Sequence, residues 1–217
     1  MQRALRAEDK LYLWDNTNSN LGFGAGANRA AQQGEQELIL FVNTDGDLKE
    51  GALDALEAEF DDPRVAAAEA SQGVERDRGP NPDWLSGACL AVRRSAFEQV
   101  GGFDERLFMY CEDVDLSHRL ARVGELRHVA SARFDHDPRP VRPLRMLHFN
   151  YRNWLTVEHW HSRAEPKRMV RDGLYRMRHG QLRRGITRLS GAAAYLCRTR
   201  YWPPPDAPAR REGQAPR

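Results

Sequence analysis

The feature that most constrains the fold is Leu38-Ile39-Leu40-Phe41-Val42, five apolar residues in unbroken succession. A strand with one wet face alternates apolar and polar side chains. A continuous run of this length fits a strand covered on both faces, inside a sheet with helices above and below. The polar turn Asn43-Thr44-Asp45-Gly46-Asp47 follows at once. Beyond it, Leu53, Leu56 and Phe60 fall at helical spacing within 50–60, and 65–68 reads as a strand. Residues 71–83 hold Gly73, Gly79, Pro80 and Pro82, the mark of a loop. Residues 88–92 read as another strand, and Ser95 is placed to cap a short helix that Gly101-Gly102 stops. A helix over 113–123 has Val114, Leu116, Leu120 and Val123 inward. Upstream, 11–14 reads as a strand, 20–26 as a glycine-rich loop and 27–33 as a helix. Strands alternating with helices predict an α/β fold with a mostly parallel sheet flanked by helices.

After Pro138 the pattern becomes helical over 144–162, 167–179 and 181–198, rich in Arg and aromatics. The reading is an α/β domain over 1–140, a basic helical extension over 141–202 and a disordered Pro-, Ala- and Arg-rich tail over 203–217. Charge divides along the same line. Residues 1–137 hold 15 Lys+Arg and 26 Asp+Glu, whereas 138–217 hold 18 and 5. An acidic half suits a cation-using site, and a basic one suits an anionic surface. Cys89, Cys111 and Cys197 form no CxxC pair or zinc-like spacing and read as reduced thiols of a cytoplasmic protein. No signal-peptide core and no run of about 18 apolar residues occurs, so the expectation is a chain that does not cross a membrane.

Four segments carry chemistry. Asp45 and Asp47 flank Gly46 just beyond the buried strand, where α/β sheets bind ligands, and two carboxylates there suit Mg2+ or Mn2+. Asp-Gly-Asp is also an ordinary turn. Glu112, Asp113 and Asp115 start a helix, where the dipole favours acids. The aromatic stretch Phe108-Met109-Tyr110 before them suits a raised pKa and a general base, with Asp115 the plain capping acid. His136 lies between Asp135 and Asp137 at the end of a strand. Asn20-Leu21-Gly22-Phe23-Gly24-Ala25-Gly26-Ala27-Asn28 has the glycine content of a phosphate loop without the GxGxxG spacing.

Taken in order, these segments resemble the family 2 glycosyltransferases, which have the GT-A fold. The resemblance runs through Asn20 to Gly24 with Asn28, Leu40-Phe41-Val42-Asn43-Thr44-Asp45, Trp84-Leu85-Ser86-Gly87-Ala88 with Arg93 to Phe97, and Val100-Gly101-Gly102-Phe103-Asp104-Glu105 with Phe108 to Leu116. Bacterial rhamnosyltransferase-type enzymes of cell-surface polysaccharide synthesis are the nearest type. The resemblance implies that Asp113 is the catalytic base, supported by Glu112. It implies that Asp45 and His136 hold a divalent metal, Mg2+ or Mn2+, with Asp47 as a further ligand. Asn20, Gly22, Asn28, Asn43, Trp84, Ser86 and Gly87 then line the donor and acceptor pocket.

The implied reaction is inverting transfer from a UDP or dTDP sugar to a glycan or lipid-linked glycan, at the cytoplasmic face of the plasma membrane. Family members begin with a further strand-helix-strand unit. Only ten residues precede Leu11 here, so the expectation is that this first unit is missing. The alternative is therefore a catalytically inactive remnant that binds glycan, membrane or a partner chain. The basic aromatic helices suit peripheral contact with an anionic membrane or, equally, a solvated face packed on the core, and nucleic acid is the disfavoured partner.

Overall fold

In the computed structural model, which describes residues 9–72, 82–136, 143–162 and 164–205, the apolar run forms β1 (Leu38–Val42) as expected. Its side chains divide between the two faces. Ile39 and Phe41 join a core with Leu90, Val92, Phe97, Phe103, Leu116 and Leu120. Leu38, Leu40 and Val42 pack toward Leu56, Phe60, Val65 and Phe134. On the first side Phe41, Phe97 and Phe103 meet with ring centroids 5.1–5.8 Å apart, and Phe23 stands edge-on to Phe103 at 5.6 Å.

The remaining strands are β2 (Gly46–Leu48), β3 (Val65–Ser71), β4 (Cys89–Arg93) and β5 (Glu125–His136). The helices between them are α1 (Phe23–Ala31), α2 (Ala52–Ala58), α3 (Arg94–Gln99) and α4 (Glu112–Leu120). The sheet order is β1-β4-β3-β5-β2. Here the expectation of a mostly parallel sheet is corrected: it is mixed, and β3–β5 is the one parallel pair among the described strands. The β1–α2–β3 passage does give two strands running the same way. The chain then reverses after Ser71 and inserts β4 between them, antiparallel to both. Edge strand β2 is antiparallel to β5.

Other local readings change too. Residues 11–14 form no strand, and Leu13 is 68% exposed. A β-prone run needs a partner ladder, and this one lies against α1 instead, with the Arg29 guanidinium 5.9 Å from the Trp14 ring. The glycine-rich segment is mostly helix. Gly22, at φ 91, turns the chain into α1, and a Cβ there would lie 2.0 Å from the Phe108 carbonyl oxygen. Ser95 makes no cap bond, because α3 starts one residue earlier. Val123 lies beyond α4 and is exposed.

The basic half folds as read, into α5 (Leu144–His161), α6 (Pro166–Arg178) and α7 (Leu182–Cys197). The 140/141 boundary and the 206–217 part of the tail lie outside the described residues. None of the described helices is long and apolar enough to cross a membrane. The three cysteines are free thiols.

Candidate active site

The head of α4 is built from unusual backbone. Phe108, Tyr110 and Cys111 have φ of 32, 68 and 66. Each left-handed non-glycine residue costs roughly 1–2 kcal/mol, so something must hold the segment. That is Asn153 of α5, fully buried, whose amide nitrogen donates to the carbonyls of Leu107, Met109 and Tyr110 at 2.8, 3.0 and 2.9 Å. The sequence reading missed Asn153. Its only signal is a polar residue among the apolar positions of a helix.

This loop delivers Glu112 and Asp113 to the first turn of α4. Asp113 Oδ2 accepts from the Gly87 amide at 3.0 Å, and Oδ1 accepts from Val114 N at 2.9 Å. Burial raises the Asp113 carboxyl above its ordinary range. The Gly87 and Val114 amides oppose this, and the charge of Glu69 adds to it. Glu112 is raised well above its ordinary range, first by burial and then by Asp113 beside it. Its Oε2 is buried with no hydrogen-bond partner among the described residues. Two adjacent carboxyls that disfavour each other's charge are the arrangement that tunes a general base.

The Trp84–Gly87 turn faces this pair. Leu85 N donates to Ser117 Oγ at 2.9 Å and Ser86 N to Glu69 Oε2 at 2.6 Å. Two carboxylates, on β3 and α4, thus take successive amides of one turn. Trp84 packs with Tyr110 and Trp160 around Leu107, Val114 and Val157. Glu69, with His128 Nδ1 3.0 Å from its Oε1, was also missed. A lone acid inside the alanine-rich strand β3 was the available clue.

Asp115 does more than the capping expected of it. It is fully buried, pairs with Arg119 at 2.6 Å and lies 2.8 Å from His161 Nε2 of α5. Arg119 in turn donates to the carbonyls of Val100 and Gly102 at 2.7 and 2.6 Å.

Ser86, Gly87 and Asp113 are therefore brought together, and α1 stands beside them, since a Cβ on Gly87 would lie 3.4 Å from the Phe23 ring. Gly22 packs on Phe108, and Asn20 Oδ1 accepts from Gly22 N at 3.3 Å. Asn28 bonds both the N–H and the C=O of Phe103, at 2.9 Å each, so it fixes the turn beyond Gly102. Asn43 ends β1, its N–H donating to the Ala88 carbonyl at 2.8 Å.

At the other sheet edge, β2 pairs Gly46 with His136 and Asp47 with Asp135. Asp45 thus stands one residue from the position opposite His136. Lys49 lies 2.9 Å from Asp47 and 2.8 Å from Asp135, and its ammonium holds the Asp47 carboxyl below its ordinary range. Among the described residues no group of three or more His, Cys, Asp and Glu is placed to hold a metal.

The helix-flanked mixed sheet is similar to the GT-A fold of solved glycosyltransferases. A solved structure of GalNAc-T7 with UDP, GalNAc and Mn2+ superposes with a TM-score of 0.56 at 12% identity, covering 83% of this chain and 43% of that one. The curated relatives are more specific. An N-acetylglucosaminyl-diphospho-decaprenol L-rhamnosyltransferase of Mycobacterium tuberculosis is 67% identical over 54 residues, 24% of this chain and 18% of the relative. Rhamnosyltransferase WbbL of Escherichia coli is 48% identical over 50 residues, 23% and 19% of the two chains. No protein-family model matches. Over these segments the chain is similar to rhamnosyltransferases, and each match spans under a fifth of the relative's length.

Proposed function

We propose that the protein transfers a rhamnose-type sugar from a nucleotide donor, of UDP or dTDP type, to a lipid-linked glycan at the cytoplasmic face of the membrane. The observation that carries this is the Glu112–Asp113 head, with Asp113 held on the Gly87 amide and both carboxyls raised. Asp113 takes the proton of an acceptor hydroxyl. That oxygen attacks the anomeric carbon as the bond to the donor diphosphate breaks, which inverts the configuration. Glu112 lies buried beside Asp113, whose charge disfavours a second one there, and supports it as the base. Trp84 and the Ser86–Gly87 turn bound the acceptor side.

Carboxylate and imidazole are suitable donors for Mg2+ or Mn2+. Asp45, in the turn before β2, and His136, at the end of β5, are the pair that would hold one, with Asp47 committed to Lys49. A cation there supplies charge neutralisation for the departing nucleoside diphosphate.

The test is calorimetry of UDP and dTDP with Mn2+, on the protein and on Asp45→Ala. Metal-dependent binding lost in Asp45→Ala supports the transferase reading. No binding to either nucleotide sinks it for this chain and leaves a non-catalytic glycan- or membrane-binding role.

A further inference from the structure

Helices α6 and α7 form a hairpin turned at Gly180, φ 77. Gly173 and Gly185 let them meet closely: a Cβ on Gly185 would lie 2.6 Å from the Gly173 carbonyl oxygen. A Cβ on Gly191 would lie 2.6 Å from Cβ of Tyr151, so α7 also packs tightly on α5. With Ala192 and Tyr195 this makes the inner side of α7.

A second apolar stripe runs along the same helix. Leu182, Ile186, Leu189, Ala193 and Leu196 recur in alternating steps of four and three residues. Leu182 is 53% exposed, Ile186 51% and Leu196 38%, while Leu189 is half-buried against Gly173. Scattered exposed leucines need no explanation, but a contiguous stripe on one helix does. Leu174 and Tyr175 of α6 are exposed as well.

The charge around the stripe says what covers it. Together α6 and α7 hold eight Lys and Arg and one acid, Asp172. That acid is already held by Arg176 at 2.9 Å and Arg188 at 2.7 Å. Lys167, Arg171, Arg178, Arg183 and Arg184 are exposed. A second copy of the chain would bring one basic surface against another. A nucleic acid would answer the arginines and leave the leucines wet. An anionic bilayer answers both, its phosphates meeting the basic side chains and its acyl boundary taking the apolar stripe.

We propose that the outer stripe of α7, with the flanking arginines of the α6–α7 hairpin, docks the protein flat on an anionic phospholipid bilayer. The proposal names the surface that meets the acceptor's membrane and rests on the transferase reading for that purpose alone. The same helices reach the site, since α7 packs on α5 and Asn153 of α5 fixes the loop carrying Asp113.

The experiment is co-sedimentation of the full chain with phosphatidylcholine vesicles, with and without phosphatidylglycerol. The expected result is binding to the anionic vesicles only. Leu182→Ser/Ile186→Ser should lower the partition coefficient about tenfold or more, two exposed apolar side chains being lost from the interface. Arg183→Gln/Arg184→Gln should lower it about 25-fold, near fivefold for each charge. Ile186→Trp should gain blue-shifted emission on anionic vesicles. Equal binding to both vesicle types, an unchanged partition of the Ser variant or no Trp shift would overturn the proposal. So would lipid-free dimerisation that the Ser variant abolishes, which assigns the stripe to a second copy. Nucleotide binding without vesicle binding sinks the docking surface alone, and the converse sinks the transfer reaction alone.

Discussion

Replacing Asn153 by alanine tests whether α5 holds the Glu112–Asp113 head in place. The amide has two N–H groups and three carbonyls within 3.0 Å, so it makes about two full bonds at a time, one of them shared. Each bond contributes about 1 kcal/mol net, and each buried carbonyl left unmet costs about 1–3 kcal/mol. Relaxation of the left-handed residues at 108, 110 and 111 returns part of this, at roughly 1–2 kcal/mol each. The expected destabilisation is about 3 kcal/mol by the balance of these. Asn153→Asp should be worse, because it removes every donor and points a carboxylate at three carbonyls. Urea unfolding followed by Trp fluorescence gives both numbers, and transfer activity should fall further than stability alone explains. A loss below about 1 kcal/mol for Asn153→Ala, with full activity, would show that the loop holds its shape without α5.

Four other outcomes follow from the site and the sheet. Transfer should fall on the acid side at a pH above the ordinary carboxylate range, because Asp113 must lose its proton and its carboxyl is raised; a kcat/KM profile checks this, and Asp113→Asn should abolish turnover. Glu112 is raised in the fold, so the folded state holds its proton longer, and stability drops as pH rises from its ordinary value of 4.5 toward the raised one. Glu112→Gln should flatten that slope and stabilise the protein at neutral pH by about 1–3 kcal/mol, read from melts at several pH values. Gly46→Ala places a Cβ 2.0 Å from Phe134 Cζ and should cost about 3 kcal/mol or unzip β2 from β5, visible as lost amide protection there. One thiol, Cys197, should react quickly with a disulfide reagent, while Cys89, pushed up to about 12 by burial and by Glu69, and buried Cys111 react only on unfolding.

Much of this was legible because apolar spacing reports burial directly. β1, β3, β4 and the three basic helices stand close to where the pattern put them. What the pattern cannot report is partnership. Residues 11–14 have the composition of a strand without a ladder to join, and the three-residue β2 is too short to show a period. Nor does periodicity reveal that β4 returns between β1 and β3. In the candidate site, Asp113 drew notice by its local motif, and Ser86 and Gly87 through the family resemblance. Glu69, His128 and Asn153 were not, because their meaning comes from residues between 17 and 59 positions away in sequence. The glycines misled for a physical reason: Gly24 gives room to Phe103, where a Cβ would come within 2.9 Å, so it serves packing within α1.

The placement of β4 also governs when the sheet can form. β1 pairs only with β4 among the described strands, residue 38 with residue 93 and residue 42 with residue 89. As the chain leaves the ribosome, the segment from β1 through β3 therefore carries two apolar strands that run the same way and do not touch. Neither can settle until the intervening strand arrives. Such non-local pairing is slow, and the waiting segments expose unsatisfied edges. For this protein, emergence of the chain through Arg93 is the first point at which β1 and β3 can both pair, each with β4.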